Sequence, residues 1–94
     1  MHVYEIIKRP LITEKSTRLA QEGKYVFEVD RRATKAEIKD AVERIFKVHV
    51  RKVNVLNVPG KLRRVRQHRG YTAAWRKAIV SLQPGDRIAL FEGV

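Results

Sequence analysis

The 94-residue sequence predicts an α+β fold: a small two-layer sandwich with a mostly antiparallel three-stranded sheet, helices on one face and a long basic hairpin loop. Three patterns point there. Residues 24–30 and 75–82 sort their side chains onto two faces with the period of two that a strand imposes. Ile38, Ala41, Val42, Ile45 and Phe46 recur at i, i+3, i+4, i+7 and i+8, the spacing of one helix face. Between the last two strand-like runs, residues 61–73 keep neither period and are crowded with arginine; loops longer than about a dozen residues in a small domain are usually functional or disordered.

Residues 2–9 are short and mixed, and read either as a helical turn or as an extended lead-in. Pro10 then pushes Arg9 away from helical geometry. Thr13 is placed to N-cap a helix over about 14–21, with Glu14 in the first turn, where negative charge suits the helix dipole. Leu19 and Ala20 give that helix a thin apolar stripe, and Gly23 stops it. In the strand over 24–30, Tyr25, Phe27 and Val29 share one face while Glu28 and Asp30 take the other. Thr34, Lys35, Ala36 and Glu37 have the form of a capping box, in which two side chains each satisfy a free backbone N–H. Lys35, Lys39, Asp40, Glu43 and Lys47 lie off the apolar stripe of the helix it opens. Residues 48–58 are rich in valine and strand-like, but Val48 and Val50 have one parity and Val53 and Val55 the other; a bulge or short loop near Arg51 and Lys52 reconciles them. Pro59 and Gly60 end that strand. In the last strand, Ala78, Val80 and Leu82 share one face and Trp75, Lys77 and Ile79 the other. Residues 83–86 form a turn, and Ile88, Leu90 and Phe91 are expected to fold back onto the core. The second and third strands then pair as a hairpin across the basic loop.

Charge is distributed unevenly along the chain. Between Glu43 and Asp86 there is no acidic residue, and those 42 positions hold eleven Lys and Arg. Residues 1–43 carry nine basic against eight acidic residues, and residues 86–94 one against two, so one stretch supplies the whole formal charge of +11. A field so one-sided attracts a polyanion. An apolar fraction of 44% beside a charged fraction of 33% fits a folded chain, and 94 residues leave room for one domain, taken as residues 1–94 with 60–73 as its extended basic loop. The absence of cysteine excludes disulfides, Cys-ligated zinc and thiol catalysis, and suits a reducing cytosol. No apolar run approaches the roughly 20 residues of a membrane span, and the first residues lack the layout of a signal peptide. A cytoplasmic protein is expected.

Catalytic patterns are missing from the sequence. Ser16 and Ser81 are the only serines and neither sits in a Gly-x-Ser-x-Gly elbow; there is no glycine-rich phosphate loop; Asp40 and Glu43 are ordinary helix-surface acids. His2, His49 and His68 are scattered, with no helical ligand spacing. No enzyme activity, metal or cofactor is expected. The strongest functional signal is the segment 60–73 with the start of the last strand. Arginine forks hold phosphate oxygens in pairs and lysine acts as a point charge; a merely solubilising loop would rarely need one sign only. His68 among arginines reads as a further RNA-facing donor. Tyr71 and Trp75 border the loop, and aromatics among cations can stack on unpaired bases. Trp75 alone is better read as a strand anchor, and Tyr71 stays open. For Glu14, physics alone gives only dipole compensation.

Several segments, in order, resemble one family, the universal large-subunit ribosomal protein of the peptide exit tunnel, number twenty-three in the standard naming. They are Ile7 to Pro10, Thr13 to Ser16, Tyr25 to Phe27, Ala33 to Lys39, Ala41 and Val42, Phe46 to Val48, Val53 and Asn54, Gly60 and Lys61, Trp75 to Ala78, and Gly85 to Ile88 with Phe91 to Gly93. The chain looks like a bacterial-type member, with the long basic loop and without a long basic N-terminal extension. It departs from the commonest pattern at Val55, where threonine is usual, and at Arg76, where lysine is frequent. The resemblance implies binding of large-subunit ribosomal RNA early in assembly, beside a small helical ribosomal protein, the twenty-ninth of the large subunit, with the loop over about 61–73 running along RNA towards the tunnel wall. It implies that Ile12, Thr13 and Glu14 form a docking patch for the chaperone trigger factor, and that the same surface serves the signal recognition particle and the translocation channel. A carboxylate in cationic surroundings can pair with an Arg or Lys of an incoming factor, which gives Glu14 a second meaning.

The expected RNA-binding set is therefore Lys15, Lys35, Lys39, Lys61, Arg63, Arg64, Arg66, His68, Arg69, Tyr71, Trp75, Arg76 and Lys77. A free-standing nucleic-acid module is the main rival, but the aromatic strand with Tyr25 and Phe27 lacks the Gly and Arg arrangement of an RNA-recognition domain. A binder of anionic membranes would need a basic amphipathic helix that the sequence does not contain.

Overall fold

The computed structural model describes residues 2–59, 62–65, 68–71 and 74–89. Its elements in chain order are α1 (Val3–Ile6), β1 (Ile7–Pro10), α2 (Glu14–Gln21), β2 (Lys24–Val29), α3 (Lys35–Phe46), β3 (Val50–Val58), β4 (Leu62–Val65), β5 (His68–Tyr71) and β6 (Trp75–Leu82). Four strands form an antiparallel sheet in the order β1-β2-β6-β3, and β4 pairs with β5 in a separate two-stranded ladder.

Both capping expectations are met in detail. At α3 the Glu37 amide donates to Thr34 Oγ1 at 3.2 Å and the Thr34 amide donates to Glu37 Oε1 at 3.1 Å. At α2 the Ser16 amide donates to Thr13 Oγ1 at 3.1 Å, and the Thr13 amide donates back to Ser16 Oγ at 2.7 Å. Serine thus plays the part usually taken by a longer Glu or Gln, which works because Ser16 is buried and held close. Helix α3 buries Ile38, Ala41 and Val42 completely, with Ile45 and Phe46 packed against the core. On the sheet, Tyr25, Phe27 and Val29 of β2, Val53 of β3 and Ala78, Val80 and Leu82 of β6 face that helix, and the Phe27 and Phe46 rings lie 5.5 Å apart.

The parity conflict in residues 48–58 is resolved by a bulge at the expected place. Val50 opposes Leu82 while Lys52 opposes Ser81, so Arg51 is the extra residue. Val48, Val50 and Val53 all reach the core as a result. Ile88 also folds back: it is buried and its amide donates to the Tyr25 hydroxyl at 3.2 Å. Leu90 and Phe91 lie outside the described residues.

Three features differ from the sequence expectation. The sheet has four strands where three were expected, because residues 7–10 pair with β2 after a single helical turn at 3–6. Pro10 can sit in β1 since that strand is an edge, where a missing N–H breaks no inner ladder. Within the basic loop 60–73, the backbone of residues 62–65 pairs antiparallel with that of 68–71. And α2 does not share the face that α3 covers: Ser16 and Leu19 line a concavity with Val26 and Ile79, whose parity is opposite to that of Phe27 and Val80.

Helix α3 ends at Lys47 in the left-handed conformation, φ 55° and ψ 50°. That geometry costs an L-residue roughly 1–2 kcal/mol and costs glycine little. Part of the gain from glycine is returned through its freer unfolded chain. Lys47→Gly should therefore stabilise the fold by about 0.5–1 kcal/mol, measured as a higher denaturant midpoint at unchanged slope.

Candidate nucleic-acid interface

The β4–β5 ladder lies between β3 and β6 in the chain. Val58 opposes Trp75 at the end of one ladder, and Leu62 opposes Tyr71 at the start of the next. Each strand advances four residues between those pairs, so both ladders share one register. The β4–β5 backbone carries Arg63, Arg64, His68, Arg69 and Tyr71. Lys61 and Arg66 lie outside the described residues.

At the root of the hairpin, the sheet face turned away from α3 forms an open concavity of about 380 Å³. Val26 and Ile79 are its floor, Leu11 and Leu19 come from the α2 side, and Leu56, 47% exposed, stands on β3 opposite Lys77. Lys15, Trp75 and Lys77 line it together. Three residues from separate parts of the expected RNA-binding set thus share one surface. An apolar floor with a half-buried indole and two ammonium groups can take a flat base and its flanking phosphates.

Thr13 also lines this concavity, and the remaining residues are dispersed. Lys35 and Lys39 are exposed on α3, whose buried stripe faces the other side of the sheet, so they cannot reach this concavity. Arg76 is half-buried; its Nη1 donates to the Arg31 carbonyl at 3.2 Å, and its buried Nε has no partner among the described residues. At least part of that guanidinium braces a turn. Thr13 spends its hydroxyl on the α2 cap, while Ile12 is 55% exposed and Glu14 projects from the first turn. Glu14 meets Arg18 at 3.4 Å with both side chains well exposed, a contact that contributes little and is readily exchanged.

Sequence reading missed a second group of cations. Lys8, Arg9 and Arg31 line a concavity of about 350 Å³ with Glu28, Ala74 and Trp75. Lys8, Arg31 and Arg32 line another, of about 430 Å³, with Asp30. Counted along the chain, residues 1–43 are close to neutral; the pairing of β1 with β2 gathers their cations beside the hairpin root. Arg9 pairs with Glu28 at 2.9 Å, and Arg32 pairs with Asp30 at 3.3 Å.

The family model described as Ribosomal protein L23 matches residues 5–90. The chain belongs to the ribosomal protein L23 family. Its similarity to curated family members extends end to end. It is 61% identical over 93 residues to the large ribosomal subunit protein uL23 of Roseiflexus sp. (strain RS-1), covering 99% of both chains. It is 59% identical over 93 residues to the protein of that name in Roseiflexus castenholzii, again over 99% of both, and 56% identical over 90 residues to the one in Pelotomaculum thermopropionicum, over 96% of this chain and 95% of the other. The ribosomal protein L23 family is one of ribosomal proteins, and its member here is not an enzyme. Among the described residues, no group of three or more His, Asp or Glu is positioned to hold a metal, and no helix is long and apolar enough to cross a membrane.

The turn beside the hairpin root has a titration signature. Asp30 Oδ1 accepts the Arg32 amide at 2.8 Å and Arg32 Nε at 3.3 Å. The amide bond first, then the guanidinium, hold the Asp30 carboxyl below its usual range. A folded-state value below the unfolded one gives a contribution that is present above the unfolded pKa and lost as the pH falls through the folded pKa. Thermal unfolding followed from about pH 6 to about pH 2 should therefore show wild type more stable than Asp30→Asn at the upper end, with the difference closing in acid. A difference independent of pH would reject this role for the charge.

Proposed function

We propose that this structural constituent of the large ribosomal subunit binds large-subunit ribosomal RNA at the polypeptide exit tunnel and offers a docking turn to factors that meet the nascent chain. Residues 1–94 act as one RNA-binding unit, with 60–73 its extended basic loop. The observation that carries the reading is the acid-free run of eleven cations from Arg44 to Lys77, of which Arg63, Arg64 and Arg69 lie on the β4–β5 ladder. Lys61, Arg63, Arg64, Arg66, Arg69 and Lys77 neutralise phosphates and release counterions, with Arg76 contributing whatever donors its bracing bond leaves free. His68 and Tyr71 accompany them along the loop. Trp75 offers a stacking face beside Lys15, and Lys35 and Lys39 reach RNA from the far side of α3.

Ile12, Thr13 and Glu14 form the docking turn for trigger factor and the signal recognition particle. The translocation channel is met there through the ribosome, with no insertion of this chain into a membrane. The helical twenty-ninth protein of the subunit is the neighbour. What supports the turn's role is its geometry: an exposed isoleucine beside a carboxylate whose one salt-bridge partner among the described residues is itself exposed.

With about seven phosphate contacts, the affinity of the isolated protein for its ribosomal RNA fragment should fall with a log–log salt slope of roughly −5. Replacing Arg63, Arg64, Arg66 and Arg69 together by alanine should flatten that slope by about 3; titrations at several salt concentrations read both values, and a salt-independent affinity sinks the clamp. Glu14→Ala should leave RNA affinity and incorporation into ribosomes unchanged and weaken trigger factor binding to the mutant ribosomes. Unchanged trigger factor affinity counts against the docking role.

A further inference from the structure

We propose that Lys8 and Arg31 form a separate phosphate-binding site for the RNA backbone at the foot of the hairpin, built from the half of the chain that looks neutral in sequence. The site rests on the RNA-binding reading above and adds two contact residues to it.

Topology brings the two cations together. Lys8 and Arg31 are the residues common to the two concavities beside the hairpin root, one of which also includes Ala74 and Trp75. Lys8 is presented by a bulge: Ile7 opposes Val29 and Arg9 opposes Glu28, leaving Lys8 as the extra residue on an edge strand. A bulge of this kind commonly re-aims a side chain out of the ladder. Arg31 sits in a turn fixed from three sides. The Arg32 amide donates to Asp30 Oδ1, the Ala33 amide donates to the Asp30 carbonyl at 3.1 Å, and Arg76 Nη1 donates to the carbonyl of Arg31 itself.

Charge then selects the ligand. The two neighbouring arginines are already matched to Glu28 and Asp30. Lys8 and Arg31 form no salt bridge among the described residues and both side chains are exposed, although Lys8 lies near enough to Asp30 to help hold its carboxyl below the usual range. Two exposed cations without a salt bridge, on a braced turn and a bulged edge, cost little reorganisation on binding an anion. They lie beside Trp75, where the cationic hairpin begins, so a phosphodiester backbone following the hairpin would pass directly onto them.

The experiment compares salt slopes for the large-subunit ribosomal RNA fragment using the full chain. Lys8→Ala/Arg31→Ala should flatten the slope by about 1.4 relative to wild type. Arg18→Ala/Lys24→Ala removes the same charge from residues outside both the acid-free run and the RNA-binding set and should change the slope much less. Lys8→Arg/Arg31→Lys, which keeps both charges, should retain the wild-type slope. A steep wild-type slope that Lys8→Ala/Arg31→Ala leaves unchanged, or alters no more than the control pair does, overturns this site alone. A flat wild-type slope overturns the RNA reading and the site with it.

Discussion

Strand β6 is hydrogen-bonded along both edges, to β2 and to β3, and its inward residues Ala78 and Val80 are fully buried against α3. The rest of the molecule depends on that double pairing. Ala78 opposes Phe27 on one side and Val55 on the other. A small side chain between two larger ones leaves Phe27 the room to reach Phe46 on the helix, the large-against-small fit of a close-packed core. The outward residues of the same strand, Trp75, Lys77 and Ile79, build the open concavity, and Arg76 at its start braces the turn before α3. Core, concavity and hairpin root are consecutive positions of one strand.

Placing so many like charges on a small chain generates self-repulsion, which salt screens beyond about 10 Å. The acids ease this where the fold needs it. Glu37 closes a cap, Glu43 accepts the Val50 amide at 3.0 Å, Asp86 accepts the His49 amide, and Glu28, Asp30 and Asp40 each hold a nearby arginine. Carboxylates are spent on local structure in and around the globular part, and the hairpin sequence is left uncompensated. A polyanion bound along the hairpin would relieve repulsion that folding alone leaves in place.

Most of the fold was legible because its signals are local. The two caps follow from Thr13 and Thr34, and the bulge at Arg51 follows from four valines that could reach one core only if a residue were skipped. Strand β1 was obscured because four residues ending in proline carry no usable period, and only an edge position lets proline stay in a sheet. The β4–β5 ladder was obscured because its residues show no apolar alternation; it pairs apart from the four-stranded sheet. The concavity was half legible. Lys15, Trp75 and Lys77 were each singled out, but their meeting depends on α2 lying over the sheet face opposite α3. Lys8 and Arg31 were hidden because charge counted along a chain ignores which strands become neighbours.

The shared register of the two ladders also constrains how such a hairpin can change in length. With equal numbers of residues on each arm between Val58–Trp75 and Leu62–Tyr71, a single-residue insertion on one arm would slip the pairing by one and turn every following residue of that arm to the opposite side. Matched insertions on both arms would leave the pairing intact and lengthen the ribbon by about 3.4 Å per added pair. Lineages that vary the hairpin's reach are therefore expected to gain or lose residues symmetrically about its tip, or to accommodate an odd residue with another bulge.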